Sequence, residues 1–112
     1  MDEAPAATIE REVAAWPGVT ATPHSRGAGI QFLYGRVELG HLHGSSLADL
    51  PFPKKVRDEL IAAGRAAVHD PLPNSGWVRR RMAGPADVPE VIALFRLNYD
   101  RAAARAAPPT AG

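Results

Sequence analysis

The chain has 112 residues, room for one domain with a core that hides roughly 65% of the surface an unfolded chain of this size exposes. It has no cysteine, which excludes disulfides, thiolate nucleophiles and cysteine-ligated zinc, so any metal must sit on imidazole and carboxylate groups. Thirteen Lys and Arg against twelve Asp and Glu leave a formal charge of +1, too balanced to gather nucleic acid or anionic membrane through a whole-protein field.

No apolar run approaches the roughly 18 residues that span a bilayer. The start, Met1-Asp2-Glu3-Ala4-Pro5, is acidic and has no apolar stretch of the secretory kind, so a cytoplasmic protein is expected. With no internal repeat and no interior linker, residues 1–112 read as a single domain. Its ordered core is expected from about residue 8 to about residue 102, with Ala/Pro-rich ends fraying on either side.

The first predicted helix runs from Thr8, its expected N-cap, to Trp16, with Ile9, Val13 and Trp16 on one face, and Pro17-Gly18 ends it. Val19 to His24 reads as a short strand, and Ser25 to Gly29 as a flexible loop. Ile30, Phe32 and Tyr34 then alternate with Gln31 and Leu33, and after Gly35-Arg36 the alternation continues through Val37, Leu39, His41 and His43. Two such runs joined by Gly-X predict a hairpin with a type II′ turn, pairing Tyr34 with Val37, Phe32 with Leu39 and Ile30 with His41. In that register both histidines share a face with Phe32 and Tyr34.

Gly44 to Pro53 reads as a loop because of its two prolines and two serines, and Lys54 to Ala63 as a short helix stopped by Gly64. Ala66 to Leu72 is a predicted strand carrying His69. Pro73 to Gly76 is a turn, and Trp77 to Met82 another strand. From Asp87, the spacing of Val88, Val91, Ile92, Phe95 and Tyr99 predicts the longest helix. Strands clustered between terminal helices imply an α+β domain, an antiparallel sheet with both terminal helices on one face and a short helix inserted. The other sheet face must be wet, covered by loops or used for binding.

His41 and His43 lie two residues apart on one strand, so their side chains point the same way about 7 Å apart along the backbone. That spacing suits a shared ligand, a general acid/base pair, or a metal completed by His69 or, less well, His24. A partly apolar concavity lined by Phe32, Tyr34, His41, His43, His69 and Trp77 is the expected binding surface for a small molecule or a protein partner. By strict alternation Glu38 faces away from His41, and Asp70 away from His69. Neither Ser45 nor Ser75 sits in a nucleophile elbow. Arg79, Arg80 and Arg81 split between two faces, so Arg79 and Arg81 give only a thin phosphate-contacting stripe and nucleic acid is not the expected partner.

Three stretches carry a family likeness: Val37-Glu38-Leu39-Gly40-His41-Leu42-His43-Gly44, His69 to Val78 with its Ser75-Gly76-Trp77, and Leu94-Phe95-Arg96-Leu97-Asn98-Tyr99. With Trp16-Pro17-Gly18-Val19, the chain resembles the small bacterial and fungal "luciferase domain" family over about residues 9 to 101. It is also similar, through Trp-Pro-Gly-Val, Gly-Trp-Val and the last helix, to the MmcQ/YjbR-like domains, which implies a frataxin-like double-wing layout and an association with DNA. Neither likeness supplies an activity or a cofactor, and no light-emitting chemistry is read from the first one's label. The sequence thus points to a binding module with a histidine-lined pocket. A histidine-dependent enzyme, metal-assisted or not, and a weak DNA-binding domain are the alternatives.

Overall fold

The computed structural model describes residues 3–23 and 29–106; His24, most of the following loop and the chain beyond Ala106 lie outside the described residues. Among the described residues three α-helices, α1 (Pro5–Ala14), α2 (Lys54–Ala62) and α3 (Val88–Ala106), accompany six strands. These are β1 (Val19–Pro23), β2 (Ile30–Tyr34), β3 (Val37–His43), β4 (Leu47–Pro51), β5 (Ala67–Val68) and β6 (Trp77–Arg81), in one antiparallel sheet of order β1-β2-β3-β4-β6-β5. This is the α+β layout that the pattern of elements implies. No helix among the described residues is long and apolar enough to cross a membrane.

α1 and α3 pack together on one sheet face. Ile9 and Val13 from α1, and Val91, Leu94 and Phe95 from α3, are fully buried against Phe32, Leu42, Ala48, Leu50 and Val78. Phe32 meets Phe95 edge-on with ring centroids 5.0 Å apart. Tyr99 leans on both Trp16 and Tyr34, at 5.2 and 5.4 Å, and donates its hydroxyl to the Pro17 carbonyl at 2.7 Å. Gly18, with φ 86°, lets the chain turn directly over the Tyr34 ring. The Trp-Pro-Gly piece and the terminal tyrosine therefore form one latch between α1, β2 and α3.

Several expectations are corrected. α1 begins at Pro5 rather than at Thr8, because proline is preset for the first helical position and needs no donor there. Residues 5–7 are thus helical rather than frayed. The predicted strand around His69 shrinks to Ala67–Val68, so His69 stands just outside it. Gly44 to Pro53 is not all loop, since Leu47–Pro51 forms β4 in the middle of the sheet. Its prolines are tolerated because Pro51 lies at the strand's end, where pairing with β3 has already stopped at His41↔Asp49.

The hairpin turn is as expected. Gly35 has φ 60° and no described non-glycine residue has positive φ, which fits type II′ and excludes I′. The register beyond it is not. Tyr34 pairs with Val37 and Leu33 with Glu38, but Phe32 pairs with Gly40, leaving Leu39 as the extra residue of a β-bulge. From there His41 opposes Gln31 instead of Ile30, so every later side chain of β3 sits on the face opposite to the one alternation gives.

Gly40 makes the bulge possible. Its φ of 150° is a glycine conformation, and a Cβ there would stand 2.7 Å from the Asp49 carbonyl oxygen and 2.9 Å from both the Leu50 side chain and the Phe95 ring. Replacing it by alanine combines backbone strain with overpacking against atoms that cannot yield. Gly40→Ala is expected to lower stability by at least about 2 kcal/mol in urea unfolding, while Gly84→Ala, with open space around it, stays within about 0.5 kcal/mol.

Candidate functional site

The strand registers line up one row of side chains across the whole sheet: Thr22, Gln31, His41, Asp49, Arg79 and Ala67 are successive cross-strand partners. Paired residues share a face, and this row lies on the side away from α1 and α3. His43, two residues on from His41, joins it, and so does Trp77, two residues before Arg79.

Asp49 is the centre. Its side chain is 1% exposed. Arg79 grips it with two parallel bonds, Nε to Oδ1 at 2.8 Å and Nη2 to Oδ2 at 2.9 Å. The Nε2 atoms of three histidines converge on the same Oδ2: His43 at 3.1 Å, His69 at 3.3 Å and His41 at 3.5 Å. The other ring nitrogen of His41, Nδ1, bonds to Glu38 at 2.8 Å. The imidazoles of His41 and His43 meet edge-on at 4.7 Å, and Trp77 packs against His41 at 5.2 Å and His69 at 5.8 Å. His41 and His69 are buried, whereas the His43 side chain is 40% exposed and is the group most open to an incoming molecule.

Burial alone would drive the proton off His41, but the hydrogen bonds to Asp49 and Glu38, together with their charges, outweigh it and push the imidazole up to about 9. Burial likewise works against ionised Asp49, yet His41 and Arg79 hold its carboxyl well below the usual carboxylate range. His41 and Arg79 thus set positive charge against a carboxylate almost wholly withdrawn from water.

Of the residues singled out from sequence, His41, His43, His69 and Trp77 come together. Phe32 and Tyr34 do not; the bulge leaves them on the helix side, packed against Phe95 and Tyr99. His24 lies outside the described residues. Glu38, expected to face away from His41, reaches it because the extra residue turns a separation of three into a shared face. Asp49 was hidden in a segment whose prolines and serines read as loop; the usable signal was the apolar pair Ala48 and Leu50 flanking it at alternate positions.

The other two motif stretches act as supports. Ser75 accepts a hydrogen bond from the Trp77 amide at 3.1 Å and donates to the Leu72 carbonyl at 2.7 Å. Gly76 runs so close to Phe52 that a Cβ would overlap its carbonyl oxygen. That loop fixes where Trp77 enters the sheet. Asn98, buried on α3, donates to the carbonyls of Leu39 and Pro51, where β3 and β4 no longer pair with each other. A hollow of about 540 Å³ adjoins this point, lined by Glu38, Phe52, Arg101 and Arg105 among others, so Glu38 separates it from the histidines.

Arg80 binds Asp87 and the Arg65 carbonyl, while Arg79 is spent on Asp49, so neither guanidinium points at solvent as a phosphate contact would.

A family model described as Luciferase domain matches residues 36–98, more than half of the chain. The chain belongs to that family. Glu38, His41, His43, Asp49, His69, Trp77 and Arg79 all lie inside the matched stretch, and Trp16, Phe32, Tyr34 and Tyr99 outside it. No curated protein and no solved structure matches the chain.

The raised proton affinity of His41 makes stability pH-dependent. Its folded value exceeds the unfolded 6.5, so its contribution is complete below about 6.5 and is lost as pH rises through about 9. Going from about pH 6 to about pH 10, urea unfolding with a chelator present should lose on the order of 3 kcal/mol in the parent chain, and His41→Asn should flatten that loss.

Proposed function

We propose that this Luciferase-domain chain is a cytoplasmic binding module whose helix-free sheet face receives a small polar ligand, or a short partner segment, over His43 and beside Trp77. One observation carries the reading. Arg79 alone neutralises and doubly hydrogen-bonds Asp49, yet three imidazoles also converge on the same carboxylate. A cluster that burdens the fold with desolvated charge beyond what pairing requires is weakly justified by stability. It is well justified by recognition, where convergent polar groups beside an aromatic wall orient a ligand. The exposure of His43, with the Trp77 indole against His41 and His69, supports entry of that ligand from this side.

A histidine-dependent enzyme on the same groups is the second reading. It is favoured by Glu38, which holds the Nδ1 side of His41 and turns its Nε2 toward Asp49, the way a carboxylate orients an acid/base imidazole. The DNA-binding alternative has less behind it, since Arg79 is committed to Asp49 and the strand keeps no row of outward guanidinium groups. Gel-shift titrations at low and moderate salt should show no tight, steeply salt-dependent complex.

The binding reading is tested by thermal unfolding against small carboxylic acids, phosphates, phenols and heteroaromatic compounds. A ligand at about 100 times its Kd adds roughly 2.7 kcal/mol, a rise of several degrees for a chain of this size. At least one class is expected to raise Tm, and His43→Ala or Trp77→Leu to remove the rise without altering the far-UV spectrum. A screen in which every shift survives both substitutions would place the ligand elsewhere.

A further inference from the structure

The convergence on Asp49 is more specific than a polar pocket needs. Four nitrogens, from His41, His43, His69 and Arg79, lie within 3.5 Å of Oδ2, which has two lone pairs in the carboxylate plane. Hydrogen bonds cannot satisfy that arrangement fully. The separations are also compatible with ligands around a metal. Donor atoms bound at about 2.0–2.1 Å in a tetrahedron stand roughly 3.3 Å apart. The three Nε2 to Oδ2 distances are 3.1, 3.3 and 3.5 Å. One donor atom from each of His41, His43 and Asp49 falls within 4.8 Å of the others.

We infer that His41, His43 and Asp49 hold a divalent first-row transition-metal ion on the helix-free face, with His69 against the same carboxylate but outside this set of three donors. This deepens the binding reading above and rests on it. Two imidazoles with a carboxylate and no thiolate suit zinc, iron(II) or cobalt(II) better than calcium or magnesium, which prefer all-oxygen shells.

Further features fit. Glu38 bonds Nδ1 of His41, the outer carboxylate that fixes the tautomer and aims Nε2 inward at metal-binding histidines. His69 is nine-tenths buried with Nε2 aimed at Oδ2, while its Nδ1 has no hydrogen-bond partner among the described residues. Its orientation is therefore set from the Nε2 side, by the Asp49 carboxylate that would also hold the ion. Arg79 grips the carboxylate along one edge and keeps Oδ2 turned to the imidazoles. The exposed side of His43 leaves a coordination position for a small ligand, which joins the metal to the recognition role.

The test is a cobalt(II) titration of the chelator-stripped full chain, followed in the visible spectrum and by equilibrium dialysis, with zinc as competitor. One ion per chain is expected, with the intense absorption of low-coordinate cobalt, displaced by zinc. His43→Ala should abolish the spectrum. Glu38→Gln should weaken binding about 10–100-fold with the band retained, a result that a purely structural Glu38 would not give. Thr20→Ala, on the same face but remote from Asp49, should bind as the parent does. No stoichiometric ion, or an ion whose affinity and spectrum survive His43→Ala, overturns the inference. The ligand screen on stripped protein keeps the two readings apart. A His43-dependent thermal shift without metal binding overturns the metal and leaves the binding module standing. Cobalt binding lost in His43→Ala supports the metal whether or not a screened compound stabilises the chain.

Discussion

The extra residue in β3 is the constraint from which the rest of the site follows. With Leu39 as the extra, core-buried residue and Gly40 pressed against β4 and Phe95, the strand changes the face its side chains occupy halfway along. Before the bulge, Glu38 points to the helix-free side; after it, His41 and His43 do as well. A regular strand would set Glu38 against them across the sheet and would seat both imidazoles among the hydrocarbon of α3. The bulge thus joins a carboxylate and two histidines that alternation keeps apart, and it does so with one glycine whose missing Cβ makes room for Asp49, Leu50 and Phe95.

The same feature explains what could be read from the sequence and what could not. The helices, the hairpin turn and the common direction of His41 and His43 follow from local periodicity and turn chemistry, which the sequence states directly. Which sheet face those histidines occupy depends on a tertiary contact, Gly40 against Asp49 and Phe95, that no local pattern encodes; a glycine inside a strand was the only warning. Asp49 escaped for a different reason. Pro51 and Pro53 argue against a strand, and the argument fails only because β4 ends where its β3 neighbour has already diverged. His69 reaches Asp49 although its strand is only Ala67–Val68, because the residue lies just past the strand's end and not within it.

The residues that make the family likeness recognisable divide into two kinds. His41, His43 and Trp77 belong to the cluster itself. Gly40, Gly76, Ser75 and Asn98 touch no prospective ligand; they set backbone positions. Asn98 is the clearest case, since its amide donates to the carbonyls of Leu39 and Pro51, where β3 and β4 no longer pair with each other. A buried carbonyl left unpaired costs on the order of 1–3 kcal/mol, so the splayed strands and the asparagine stabilise one another.

That coupling ties the apolar and polar halves of the domain into one unit. Asn98 sits one residue before Tyr99, whose ring and hydroxyl lock α3 to Trp16, Pro17 and Tyr34. It also sits three residues after Phe95, which fills the space left by Gly40. α3 therefore grips the bulge from one face at two points, and the bulge fixes Glu38 and His41 on the other. A displacement of α3 cannot leave the ionic cluster unchanged, because the intervening layer is a single strand with no slack at Gly40. The helix face supplies rigidity by packing hydrocarbon, and the opposite face uses that rigidity to keep four nitrogens aimed at one oxygen. Removing water from Asp49 without such support would cost more than its ion pair returns. The precision of the cluster is thus a property of the core beneath it.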